Sequence, residues 1–332
     1  MKPDPTLAAQ ANNVVWPTPE AISRAVELLR RGQVIGLPTE TVYGLAGDGL
    51  NPAALARIFE VKQRPLFDPL ILHLLDADKA FALAENVPEV ARLLARRFWP
   101  GPLTLVLRKT EAVPDLATSG LPNVALRVPA HPVAQTLLRA FGGPLAAPSA
   151  NRFGRISPTD AQAVRAELSD AVPLILDGGP CAVGLESTVL LLAEDQRVLL
   201  RAGGISLEEI EAVVGPVQHA THVDDRPQAP GQLKHHYAPR KPLRIEWDLR
   251  DIEFRSDCGV LFFGNPEVTQ AFPGVIEYLS PTGDLREAAA NFFRALRKLD
   301  DDPRVRIIYA MALPSKGLGL AINERLERAC GK

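Results

Sequence analysis

The stretch TVLLLAEDQRVLL, residues 188–200, decides how the chain folds. Two apolar runs, 188–192 and 198–200, are parted by Glu194, Asp195 and Gln196, a short polar break of the kind that joins antiparallel neighbours. That reads as a hairpin. Elsewhere in the first two hundred residues helix and strand signals alternate, as they do when strands pair in parallel through crossover helices. A sheet that holds both kinds of neighbour is mixed, so the fold class is α/β with a mixed rather than a purely parallel sheet.

Working outward, Thr18 and Pro19 supply an N-cap and a first-turn proline, and Ile22, Ala25, Val26 and Leu29 recur at helical spacing until Gly32. Residues 34–37 form a short apolar strand, and Asn51-Pro52 opens a second helix with Leu55, Ile58 and Phe59 on one face. Residues 69–75, 103–107, 124–128 and 174–176 read as strands and 132–141 as a helix. Ser206 with Glu209 is a capping box. Periodicity then fails over 216–242, which holds four of the six histidines and prolines at 227, 230, 239 and 242. A structureless run of that length is a linker or a functional loop. Strand patterns return at 243–247, 259–263, 275–279 and 305–310, with Leu285, Ala288, Ala289, Phe292, Leu296 and Leu299 marking one amphipathic helix. The expected division is 16–215, a linker 216–242, and a smaller α/β domain 243–332.

The chain has 332 residues with 37 basic and 39 acidic side chains, a formal net charge of −2. That balance argues against a protein that holds nucleic acid by bulk electrostatics. Cys181, Cys258 and Cys330 are odd in number and far apart, which excludes a disulfide scaffold and a sulfur-rich zinc site. With a polar, proline-broken N-terminus and no membrane-length apolar run, a cytoplasmic protein is expected. The 30 prolines are nearly twice the usual share of about 5%. They suggest short elements joined by stiff loops.

No phosphate loop, dinucleotide glycine fingerprint, zinc-protease helix or hydrolase elbow is present. Small polar and basic clusters stand at strand ends instead. PTETVYGL (38–45) is poor core material and suits either a turn or ligand orientation. In KQRPLFDPLILH (62–73), Lys62 and Arg64 are either a clamp for phosphate oxygens or ordinary charges at a helix C-terminus. His73 lies in an apolar run, where a histidine is usually a satisfied core residue. In NVALRVP, Arg127 sits mid-strand and needs an anion, supplied by a structural carboxylate or a bound one. APSANRFGRISPT (147–159) places Ser149, Asn151 and Ser157 at a helix entry, where Ser157 is a cap or an anion ligand. GLESTV (184–189) and LRAGG (200–204) repeat the theme of hydroxyls, a cation and permissive glycines. His235 and His236 could pair with His219 or His222 on a metal, but no spacing signature supports it.

Taken in order, PTETVYGL, KQRP with DPLILH, ALRVP, APSAN with SPT, GLESTV and LRAG resemble the YrdC-type domain of the L-threonylcarbamoyladenylate synthase family. APGQLKHHYAP (229–239) resembles the linker of its longer form, and SPTGDLREAAANFFRALRKLD with GLGLAINERL its C-terminal domain, so the resemblance covers about residues 16–330. It implies a YrdC-like twisted mixed sheet with flanking helices, plus a C-terminal Rossmann-like α/β domain. It also implies an ATP-dependent nucleotidyltransferase that joins L-threonine, bicarbonate and ATP into threonylcarbamoyl-AMP and releases pyrophosphate. A separate transferase then carries the threonylcarbamoyl group to the adenosine beside the tRNA anticodon.

By the same resemblance Thr41, His73, Arg127 and Ser187 correspond to positions around threonine. Lys62, Arg64, Ser149, Asn151, Ser157, Arg201 and Tyr237 correspond to positions around ATP, and the cations Lys62, Arg64 and Arg201 carry the catalytic role. Mg²⁺ is expected with ATP, held by phosphate oxygens and water, and the linker is expected to fold over the site. Asp68 and Asn123 depart from the family's usual asparagine and threonine, and a carboxylate at 68 would repel phosphate unless it faces Mg²⁺ or Lys62. Two other readings of the fold are an RNA-binding or ribosome-assembly module, and a carbamoyl-adenylate enzyme of metallocentre maturation. Low net charge and complete threonine and ATP motifs stand against the first, and the missing four-cysteine pattern against the second.

Overall fold

The computed structural model describes residues 13–193, 196–220, 236–247, 255–264 and 272–330. The elements run β1 (Val14–Val15), α1 (Pro19–Arg30), β2 (Ile35–Leu37), β3 (Gly44–Asp48), α2 (Pro52–Lys62) and β4 (Ile71–His73). Next come α3 (Ala77–Phe81), α4 (Glu89–Phe98), β5 (Leu103–Arg108), α5 (Asp115–Thr118), β6 (Asn123–Arg127), α6 (Pro132–Phe141) and β7 (Leu145–Ala146). They continue with α7 (Ala161–Leu168), β8 (Ile175–Leu176), β9 (Thr188–Ala193), β10 (Gln196–Arg201), α8 (Leu207–Val214) and β11 (Gln218–His219). The C-terminal part holds β12 (Leu243–Glu246), β13 (Cys258–Phe263), β14 (Val275–Ser280), α9 (Leu285–Asp301), β15 (Ile307–Met311) and α10 (Leu318–Ala329).

Helix starts follow local chemistry. Thr18 accepts a hydrogen bond from the Ala21 amide, Pro19 sits in the first turn, and Ile22, Ala25, Val26 and Leu29 are the buried face of α1. Asn51 caps α2 in the same manner, and Ser206 with Glu209 forms both halves of the capping box on α8. Ser157 caps no helix. The helix after it begins at Ala161, where Asp160 accepts from the Ala163 amide.

The strands of the first two hundred residues form one sheet in the order β1-β8-β2-β3-β7-β4-β6-β5-β9-β10-β11. It is mixed. The β9–β10 hairpin is antiparallel while β9 pairs β5, and β4 pairs β6, in parallel. Its turn residues Glu194 and Asp195 lie outside the described residues. Alternation along the central strands splits the side chains between faces. Leu72, Leu105, Leu126 and Leu190 enter the main core with Leu55 and Ile58 of α2, Leu94 of α4, Val164 of α7 and Ile210 of α8. On the other side, α1 and α6 pack over Ile35, Leu37 and Ala46.

The second sheet is wholly parallel, in the order β12-β15-β13-β14, with α9 and α10 packed beside it in a Rossmann-like arrangement. Its core does not close on itself. Phe292, Phe293, Leu296, Ile322 and Leu326 share one buried cluster with Val42, Ile156, Leu185, Leu199 and Ala202 of the first domain and Tyr237 between them. The two domains therefore meet on the part of the first that carries the polar strand-end motifs.

Candidate active site

Pairing register lays a row of residues across five neighbouring strands. His73 of β4 stands opposite Arg127 of β6, Arg127 opposite Thr104 of β5, Thr104 opposite Val189 of β9, and Val189 opposite Arg201 of β10. Directly opposed residues share a face, so the row lies opposite the leucines that enter the main core. The β10 register shifts between Leu199 and Arg201, an irregularity that bends a strand and re-aims its side chain. Arg201 then donates Nε (3.1 Å) and Nη2 (2.8 Å) to the Ser187 carbonyl and Nη2 to Ser187 Oγ (3.1 Å). Ser187 Oγ also shares a hydrogen bond of 2.7 Å with Thr104 Oγ1.

Arg127, expected mid-strand, is the last residue of β6 and has a protein partner. Arg127 Nη2 donates to Glu40 Oε1 at 2.8 Å and Nε to the Gly101 carbonyl at 3.3 Å, which leaves Nη1 without a hydrogen-bond partner among the described residues. The second Glu40 oxygen accepts from the Ala130 amide at 3.0 Å. Beside it, Thr41 Oγ1 lies 2.8 Å from Thr39 Oγ1.

Lys62 and Arg64 are not surface charges at a helix end. Gln63 turns left-handed (φ 52°) and Pro65 prevents continuation, so α2 stops and both side chains turn inward. Lys62 Nζ donates to the carbonyls of Ser149 and, at 2.6 Å, Asn151. Arg64 Nη2 pairs with Asp68 at 2.8 Å and donates to the Pro69 carbonyl at 2.9 Å. Asp68 thus faces a guanidinium and is fully buried. Burial raises its pKa, against the charges of Arg64 and Lys62. Asn151 Nδ2 ties its own loop together through the carbonyls of Arg152 and Arg155, at 2.8 and 2.9 Å.

Tyr237, which precedes β12, is fully buried with φ 65°, a conformation that a bulky side chain adopts only when its surroundings impose it. The His236 and Phe293 rings lie 4.0 and 5.5 Å from its centroid, and the Ala238 amide donates to the Gly154 carbonyl at 2.7 Å. The chain before it, 221–235, with His222 and His235, lies outside the described residues. His219 is exposed on β11, whereas His236 is buried.

These contacts surround a small, partly open cavity of about 40 Å³. Thr41, Arg64, His73, Arg127, Ser149, Ser187, Arg201 and Tyr237 line it. Lys62, Asn151 and Ser157 stand one contact behind. Lys62 acts on the Ser149 carbonyl, Asn151 belongs to the same loop, and Ser157 Oγ donates to Glu186 Oε1 at 2.7 Å. Glu186 and His236 also line the cavity. From sequence His236 was weighed only as a metal ligand and Glu186 was not singled out, although both flank candidate residues in HHY and GLESTV. Arg325 had only its place in GLGLAINERL, and nothing there pointed to its partner Glu186, 139 residues away.

Burial and the Arg127 charge push the His73 pKa down to about 3. Burial, then Arg64, Lys62 and Arg201, hold His236 well below the usual histidine range. Both imidazoles are therefore neutral near pH 7. Burial pushes Glu186 up, but Arg325 and Arg201 outweigh it and leave the carboxyl below its ordinary value. Several buried polar atoms at the cavity, His73 Nδ1, His236 Nδ1 and Tyr237 Oη among them, have no hydrogen-bond partner among the described residues. Such atoms are costly unless something polar meets them. Among the described residues no group of three or more His, Cys, Asp or Glu could hold a metal ion, and no helix is long and apolar enough to cross a membrane.

The family model described as telomere recombination, that of the Sua5/YciO/YrdC domain, matches residues 27–203. The model of the threonylcarbamoyl-AMP synthase C-terminal domain matches 205–331. The threonylcarbamoyl-AMP synthase of Pyrococcus abyssi is 42% identical over 325 residues, covering 92% of this chain and 93% of its own. That of Bacillus subtilis is 42% identical over 332 residues, covering 93% of each. The crystal structure of P. abyssi Sua5 complexed with L-threonine superposes with a TM-score of 0.85 at 40% identity, over 93% of this chain and 94% of that one. By sequence and by structure along nearly its whole length, the chain belongs to the threonylcarbamoyl-AMP synthase family in its two-domain form.

Proposed function

We propose that the cavity binds L-threonine and ATP side by side and makes threonylcarbamoyl-AMP from them and bicarbonate, releasing pyrophosphate. The observation that carries this is the convergence of Arg64, Arg127 and Arg201 on one cavity whose wall holds polar atoms without a partner among the described residues. On the threonine side stand Thr41, His73, Arg127 and Ser187, with Arg127 Nη1 for the carboxylate. On the nucleotide side stand Lys62, Arg64, Ser149, Asn151, Ser157, Arg201 and Tyr237.

The chemistry follows from that placement. Threonine's amine forms a C–N bond to bicarbonate carbon as a C–O bond breaks and water leaves, giving a carbamate, and a carbamate oxygen then attacks the α-phosphorus as the bond to pyrophosphate breaks. A carbamate decays in water, so exclusion of solvent and fixed orientation matter more than a general base. The cations of the nucleotide side would stabilise charge on the departing pyrophosphate. The chain offers no cluster of metal ligands among its described residues. Mg²⁺ accompanying ATP would therefore rest on phosphate oxygens and water, and no step is assigned to it.

The division into a catalytic domain (16–215), a linker over the site (216–242) and a C-terminal domain (243–332) belongs to the same proposal. So do a cytoplasmic setting and passage of the product to a separate tRNA transferase. A nucleic-acid-binding surface is not favoured, because Arg64, Arg127 and Arg201 are buried in the cavity wall and Lys62 is buried behind it, instead of spread where phosphates of a strand could reach them. The test is pyrophosphate release by the purified protein with ATP, Mg²⁺ and bicarbonate. Release that requires threonine, with threonylcarbamoyl-AMP detected by mass spectrometry, is expected. Release without threonine, or none, would overturn the reading.

A further inference from the structure

Arg325 belongs to α10 of the C-terminal domain and is fully buried. Its Nε donates to Glu186 Oε2 at 3.0 Å. Nη1 donates to the carbonyls of Ala202 at 2.7 Å and Ala321 at 3.0 Å, and the guanidinium carbon lies 5.6 Å from the centre of the Tyr237 ring. One planar cation thus touches three segments of separate origin, and each carries a residue of the cavity wall: Glu186 with Ser187, Arg201 beside Ala202, and Tyr237.

Cohesion alone does not call for an arginine here. A buried ion pair often contributes no more to stability than apolar side chains of the same volume, because both charges must leave water. A guanidinium offers instead a fixed fork and a permanent charge. The charge matters because Glu186 is the carboxylate among the residues that line the cavity. Left without Arg325, that carboxylate would face the polyphosphate side with Arg201 as its nearest compensating cation, and it would both repel an anion and draw Arg201 from it. With Arg325 in place, one Glu186 oxygen is held by Nε and the other accepts from Ser157 Oγ at 2.7 Å.

We propose that Arg325 is a positioning residue for the nucleotide side, through which the C-terminal domain neutralises Glu186 and so leaves the cationic wall to the polyphosphate. This rests on the function proposed above. It gives the C-terminal domain a task in the reaction besides covering the catalytic domain.

The test compares Arg325→Met, Arg325→Lys and the double variant Arg325→Met/Glu186→Gln in threonine-dependent pyrophosphate release, with folding followed by thermal melting. Arg325→Met should raise the KM for ATP about tenfold or more, the cost of one uncompensated buried charge, while the KM for threonine stays within about twofold. Arg325→Lys, which keeps the charge and loses the fork, should fall between Met and wild type. Removing the stranded carboxylate in the double variant should return the KM for ATP most of the way to wild type. A purely structural role would make the double variant no better than the single one.

An unchanged KM for ATP in Arg325→Met, equal rises for both substrates, or no recovery in the double variant would overturn the proposal. If Arg325→Met does not fold, Arg325→Lys with and without Glu186→Gln is judged by the same criteria. A wild type that fails to release pyrophosphate sinks the functional reading and this inference with it. A wild type that turns over beside unaltered variants sinks this inference alone.

Discussion

His73 shows how much one residue's surroundings decide. In sequence it is a histidine in an apolar run, which ordinarily means a satisfied core residue. The pairing of β4 with β6 sets it beside Arg127 in the cavity wall, buried, neutral and with Nδ1 unpartnered among the described residues. Its pKa of about 3 lies below the ordinary 6.5, so between those values the unfolded chain binds more protons than the folded one. Stability therefore rises with pH through that window. It is fully present above about pH 6.5 and is lost as pH falls toward 3, at up to about 1.4 kcal/mol per pH unit for one such group. His236, also held low, acts in the same direction. Calorimetry between pH 7 and 5 should show the melting temperature falling, and His73→Gln should make that fall shallower by about one proton's worth. A Gln variant with the wild-type slope would mean that the imidazole is not the neutral buried group described.

At the scale of elements, what was legible in the sequence is what local chemistry controls. Caps at Thr18, Asn51 and Ser206 marked helix starts because a side-chain oxygen and a backbone amide two or three residues away need nothing else. The hairpin declared a mixed sheet for the same reason. Strand β3 was missed because its Gly44–Asp48 run lacks β-branched and aromatic residues and owes its extended form to antiparallel neighbours on both sides, β2 and β7. The ionic partners of the candidate site were also hidden, since Glu40 lies 87 residues from Arg127 and Glu186 lies 139 from Arg325. A cation announces that it needs an anion but not which one. One element-level feature now invites a test. A methyl group on Gly203 would lie 2.4 Å from the Glu186 carbonyl oxygen, the Ser187 carbonyl carbon and the Thr188 amide nitrogen. Gly203→Ala must push the end of β10 away from 186–188, straining the contact from the Gly204 amide to the Glu186 carbonyl and the Arg201–Ser187 pairing. A displacement of that size in a site that works by orientation is expected to lower kcat/KM for pyrophosphate release by about a hundredfold. Wild-type kinetics in a folded Gly203→Ala protein would show that this close approach does not position the site.

For the whole molecule, the question is whether the second domain is tethered or built in. The buried cluster that joins Leu185, Leu199 and Ala202 to Phe292, Phe293 and Leu326 is reinforced at its edges by polar ties. Arg297 donates to Glu167 and to the Ile156 carbonyl, both at 2.8 Å, and the Gly317 amide donates to Glu208 at 3.0 Å. Domains joined by so much apolar contact should melt as one cooperative unit, whereas loosely tethered domains melt separately. Gly184 is the point at which that can be tested without removing any contact. Its φ of +72° already disfavours a side chain, and a methyl there would lie 2.4 Å from the Ala289 carbonyl oxygen and 2.5 Å from Ala290 Cα in α9. Helix backbone cannot yield as a side-chain tip can, so Gly184→Ala must either shift α9 off the catalytic domain or distort 184–189. The left-handed conformation alone costs about 1–2 kcal/mol for an alanine, and the collision adds to it. Scanning calorimetry should give a single transition for the wild type. In Gly184→Ala it should give a lower melting temperature with the transition broadened or split, and a higher KM for ATP because α10 and Arg325 move with α9. A variant that melts as the wild type does would show that the close packing of 184 against α9 is not what makes the two domains one unit.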